Sequence, residues 1–103
     1  MNFDEFKNSL GDASSPPTLP PELQALWTDA RGDWDAAHKI VQEIESSEAA
    51  WVHAYLHRKE GDLGNASYWY ARARRPVASV GLDEEWEKIA RALLGNANES
   101  SPS

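Results

Sequence analysis

His53 and His57 stand four residues apart in a segment that reads as helical. On a helix that spacing brings two imidazoles onto one face, where they can chelate a transition metal. A third ligand would have to come from His38 or Glu60. The chain lacks a His-Glu-x-x-His arrangement, which would add a general base. The plainer reading is preferred. It makes both histidines exposed or groove-lining side chains with ordinary hydrogen bonds, since they fall nearly opposite the apolar arc of their own helix, and it expects no resident metal or cofactor.

Arg72, Arg74 and Arg75 offer a different chemistry. Guanidinium groups pair bidentately with carboxylate or phosphate, although basic residues in a last helical turn also simply complement the helix dipole. Tyr68 stands four residues before Arg72, so a ring and a guanidinium could together form a contact surface. The residues marked for binding are therefore His53, His57, Tyr68, Arg72 and Arg75, and an acidic peptide segment of another protein is the partner they suit best. Small-ligand or metal binding by His53, His57 and the Arg72, Arg74 and Arg75 cluster is the alternative. Four of the five tryptophans, Trp27, Trp51, Trp69 and Trp86, fall on apolar stripes, which points to core packing.

Signs of catalysis are few. Asp83-Glu84-Glu85 is better explained as a helix start than as a paired acid and base, and no phosphate loop, nucleophile elbow or dinucleotide fingerprint occurs. With no cysteine there is no thiolate nucleophile, disulfide or cysteine zinc site. The chain is therefore read as a non-enzyme. Asn65-Ala66-Ser67 and Asn98-Glu99-Ser100 match the glycosylation pattern by chance, because the amino terminus lacks a basic start and apolar stretch.

A formal net charge of −7 over 103 residues disfavours a phosphate backbone as partner. That charge is uneven: residues 1–48 carry −7, residues 49–80 carry +3 and residues 81–103 carry −3. The basic middle segment also holds both candidate histidines and half of the Phe, Trp and Tyr rings. No apolar run approaches the roughly 18–20 residues needed to span a bilayer. Neither nucleic acid nor membrane is expected as a partner, and the cytoplasm is the expected compartment.

The elements that must position these residues all have a period near 3.6. Phe3, Phe6 and Leu10 mark a short amphipathic helix capped by Asn2, and residues 11–21, with four prolines, read as a linker. Leu23, Leu26, Trp27 and Ala30 form the next stripe, closed by Gly32. Asp33 caps a helix through Ala37, Ile40, Val41 and Ile44 to about Glu45. Ser46 or Ser47 caps the helix of Trp51, Val52, Tyr55 and Leu56, which Gly61 stops. Asp62 or Asn65 caps the helix of Ala66, Trp69, Tyr70 and Ala73, which Pro76 ends. Asp83 caps a last helix over Glu84–Leu94, Gly95 stops it, and 95–103 reads as a disordered tail. The short amino-terminal helix should dock in its own groove or in a neighbour's, giving a homodimer through the amino-terminal arm, because two phenylalanines on a tether are costly to leave in water.

Gly32-Asp33 superposed on Gly61-Asp62 sets Leu23 over Val52, Leu26 over Tyr55, Trp34 over Leu63, Ala37 over Ala66 and Val41 over Tyr70, always 29 residues apart. A helix, a Gly-Asp turn and a second helix at fixed period is the mark of a helical-hairpin array. Residues 22–76 resemble the tetratricopeptide-repeat superfamily, most clearly in Gly61-Asp62-Leu63-Gly64-Asn65-Ala66-Ser67-Tyr68-Trp69-Tyr70-Ala71-Arg72-Ala73 followed by Pro76. The period of 29 departs from the family's 34, and there are two units. The resemblance implies two tandem antiparallel hairpins, a concave surface that binds another protein or peptide, and no catalytic residues. The whole is then an all-α domain over 22–94, with residues 83–94 as its closing helix and residues 1–21 as helix and linker ahead of it.

Overall fold

Every regular element in the structure, a computed structural model that describes residues 1–97, is helical. The order is α1 (Phe3–Asn8) with a short 3-10 turn at Ser9–Gly11, α2 (Pro21–Ala30), α3 (Trp34–Gln42), α4 (Ser47–Lys59), α5 (Leu63–Ala73) and α6 (Leu82–Ala97). Local chemistry accounts for the starts. Asn2 and Glu5 form a reciprocal capping box, and Pro21 occupies the first position of α2, where its missing N–H costs nothing. Asp33, Ser46 and Asp62 each accept the N–H three residues on, from Ala36, Ala49 and Asn65.

Gly32 and Gly61 supply the positive φ, 91° and 88°, that lets the chain turn from α2 into α3 and from α4 into α5. Arg74 closes α5 in the left-handed conformation at φ 60°, and Pro76 prevents continuation.

Three boundaries differ from the sequence reading. Glu85 N–H bonds to Gly81 C=O at 2.9 Å, so Gly81 and not Asp83 stands where α6 begins, and Asp83 lies within its first turn. Gly95 does not stop α6, which runs through Ala97; the remainder of the expected tail, 98–103, lies outside the described residues. α3 also ends earlier than its apolar stripe suggested, at Gln42.

Consecutive helices pack in sequence, α2 on α3, α3 on α4 and α4 on α5, while α6 packs across α2 and α4. One apolar core joins Phe6, Leu23, Leu26, Val41, Val52 and Leu56 to Trp86 and Ile89 of α6. The amino-terminal arm belongs to that core. Phe6 is fully buried and stacks on Trp86 at 5.6 Å, Phe3 meets the same indole edge-on, and Leu19 of the proline-rich segment is buried as well. Trp27 donates its indole N–H to Ser9 Oγ, and Trp86 donates to Leu26 C=O, each at 3.1 Å. Thus α1 docks in its own chain. A smaller cluster of Ala54, Ala66 and Tyr70 fills the space between α4 and α5.

A buried polar lock ties α4, α5 and α6 together. Glu85, 2% exposed, accepts from Arg58 at 2.7 Å and from the Tyr70 hydroxyl, and Arg58 also donates to Val80 C=O. Burial first, and then the Glu85 hydrogen bond, push the Tyr70 hydroxyl pKa well up, so it stays a donor.

Candidate functional site

Three helices meet where the candidate histidines lie. His53 and His57 come from successive turns of α4, and His38 comes from α3, which packs against it. The Nε2 atoms of His38 and His53 are 3.0 Å apart. The His53 and His57 rings stack at 4.9 Å, and the His38 ring meets both edge-on, at 4.7 and 5.3 Å. One nitrogen from each residue falls within 4.8 Å of the others.

Aromatic walls hold two of the rings. Trp34 stacks on His38 at 5.0 Å, while its indole N–H is anchored on Leu56 C=O. Trp69 of α5 stacks on His53 at 3.9 Å. His57 Nδ1 lies 2.7 Å from Glu60 Oε1, a carboxylate oxygen that can only accept, which makes Nδ1 the donor and turns Nε2 away from Glu60.

The sequence reading of His53 as an exposed or groove-lining residue does not hold: it is 4% exposed. The apolar arc of α4 accounts for only one side of that helix, and α3 and the Trp69 ring cover another. Burial, then the neighbouring His38 and His57, lowers the His53 pKa to about 4. Burial likewise lowers that of His38, helped by His57 and opposed by Glu60 and Asp35. Both rings are neutral at pH 7.

The second group of predicted residues is divided. Tyr68, 53% exposed, accepts from Arg72 at 3.1 Å, and the Arg72 guanidinium lies over both the Tyr68 and Trp69 rings. Arg72 and Arg74 line a groove of about 550 Å³ beside Ser46, Ser47 and Trp69. Arg75 does not join them. It sits 3.8 Å above the Trp51 ring and lines a different groove, of about 420 Å³, with Lys88 and the segment from Pro76 to Val80. Among the described residues none of the three arginines makes an ion pair.

Tryptophan placement also differs in part from expectation. Trp27 and Trp86 are buried in the core, whereas Trp51 and Trp69 are half-buried and serve as platforms for Arg75, His53 and Arg72. Leu63, matched to Trp34 by the 29-residue repeat, is 64% exposed. No helix among the described residues is long and apolar enough to cross a membrane.

Comparison with known proteins returns no match: no family model, no curated protein and no solved structure aligns with the chain at a meaningful level.

Proposed function

We propose that the chain is a non-enzymatic, cytoplasmic helical-hairpin module, tetratricopeptide-like in residues 22–76, that binds a partner protein through an acidic segment. The observation that carries this reading is the pairing of guanidinium groups with rings at the end of α5. Arg72 on Tyr68 and Trp69, and Arg75 on Trp51, have no carboxylate partner among the described residues. A guanidinium stacked on a ring keeps its N–H edge free for a carboxylate, and its side chain is already ordered, so less entropy is lost on binding. The two grooves place cations on both sides of the α5 terminus, Arg72 and Arg74 in one and Arg75 with Lys88 in the other. An extended chain with carboxylates at intervals fits that spacing, and the exposed Tyr68 ring offers it an apolar anchor.

A fluorescein-labelled peptide of alternating glutamate and tyrosine, titrated with the protein, tests the reading. Binding should weaken as salt rises, and an Arg72→Ala, Arg75→Ala double variant should lose roughly tenfold or more in affinity, about the value of two charge-assisted contacts. Equal binding by the variant and the wild type would sink the proposal.

A further inference from the structure

We propose that His38, His53 and His57 form a binding site for one divalent transition-metal ion of the zinc class, held on imidazole nitrogens from α3 and α4. This site adjoins the peptide face, sharing the Trp69 ring with it, but uses none of its arginines. The first support is distance. Zinc bound to histidine at about 2.0–2.1 Å in tetrahedral geometry sets neighbouring ligand nitrogens about 3.3 Å apart. The Nε2 atoms of His38 and His53 already face each other at 3.0 Å, and all three donor atoms lie within 4.8 Å of one another. Turning the His57 ring out of its stack on His53 closes the set.

The second support is the proton inventory. Two neutral imidazoles whose Nε2 atoms meet share a single N–H···N hydrogen bond, and an ion can take the place of its hydrogen. An ion between them satisfies both lone pairs, and the ring that gave up its Nε2 proton carries it on Nδ1 instead. His57 needs no such change. Its Nδ1 is engaged by Glu60 at 2.7 Å, so its Nε2 is left as the ligand atom, and a carboxylate behind the distal nitrogen orients the ring and raises its basicity. The Trp34 and Trp69 walls fix the planes of the other two rings.

Donor type narrows the ion. Three imidazoles suit zinc, copper, nickel and cobalt, while magnesium and calcium require oxygen cages. Three protein nitrogens leave a fourth position for water.

The full chain, untagged so that no added histidines compete, is stripped with a chelator and titrated with zinc sulfate alone by calorimetry, then with cobalt by visible absorption. One equivalent should bind with micromolar affinity or better, and cobalt should give the strong visible bands of a tetrahedral nitrogen site. Because His53 is buried, the variants are the less enclosed His38→Gln and His57→Gln, checked for unchanged circular dichroism. Each should weaken binding at least tenfold, and Glu60→Gln should weaken it roughly tenfold through the outer shell. Absence of binding up to millimolar metal overturns the proposal. So does binding that survives unchanged in both histidine variants.

Discussion

Replacing Phe6 with alanine probes whether the amino-terminal arm is part of the folded unit in solution. The ring is fully buried and stacked on Trp86 at 5.6 Å. Removing it from water is worth about 1.5–3 kcal/mol, and the stacked geometry adds about 0.5–1.5 kcal/mol. The cavity left behind brings the whole to about 3–5 kcal/mol, as for other buried phenylalanines. Against a total stability of about 5–15 kcal/mol that is a large fraction. For a chain this short it lowers Tm by about 15–30 °C. Urea unfolding followed by tryptophan emission reads the loss directly. Deleting residues 1–15 sets its ceiling, because once α1 detaches no further arm contacts remain to be lost. The Phe6→Ala value should equal or fall slightly below that of the deletion. A loss under about 1 kcal/mol in both would refute the docked arm, since the burial seen at Phe6 could not then persist in solution.

Acid should destabilise the metal-free protein before its carboxylates titrate. The unfolded chain binds a proton at His53 below pH 6.5, while the fold resists it down to about 4, so stability is full above 6.5 and is lost as pH falls toward 4. Between pH 7 and pH 5 the urea-derived stability should drop by about 2 kcal/mol, and a flat profile over that span contradicts the burial argument. Arg58→Met should cost about 3–5 kcal/mol in chemical denaturation by leaving the buried Glu85 without its counter-charge; a loss below 1 kcal/mol would show the lock to be slack. Gly61→Ala should cost about 1–2 kcal/mol at φ 88°, although nothing lies within 4 Å of the new methyl. Gly64→Ala, inside α5 and 4.0 Å from Asp62 Oδ1, should instead gain about 0.5–1 kcal/mol, and melting curves of the pair that fail to move in opposite directions count against the backbone assignment.

The helices were legible because each carries its own punctuation: Asn2, Asp33, Ser46 and Asp62 as caps, Gly32 and Gly61 as turns, Pro76 as a stop. The all-α class follows from stripes that repeat every 3.6 residues. A stripe reports that a face is covered, but not by what. His53 lies off the stripe of α4 and is buried nonetheless, because α4 is covered by α3 on one side and by Trp69 of α5 on another. His38 could be named as a candidate third ligand. That it meets His53 rather than solvent depends on how α3 and α4 are rotated about their axes, which no local signal encodes. The arginine cluster failed for a related reason. Arg74 leaves the helix in the left-handed conformation, so Arg75 departs in a direction that helical spacing does not describe. Leu19, in a segment read as linker, is buried: its N–H closes a turn on Pro16 C=O and its C=O accepts from the Gln24 side chain of α2, which hold it against the core.

The central position of α4 has a consequence for the order in which backbone amides exchange with solvent. It packs against α2, α3, α5 and α6, so none of its inner N–H groups can open without separating most of the structure. Its slowest amides, from about Val52 to Leu56, should exchange only through global unfolding. Those of α1, whose main helix contact is with α6, should exchange through local release of the arm. The chain is thus graded in permanence from its edge inward, and His53 and His57 lie on the helix that opens last.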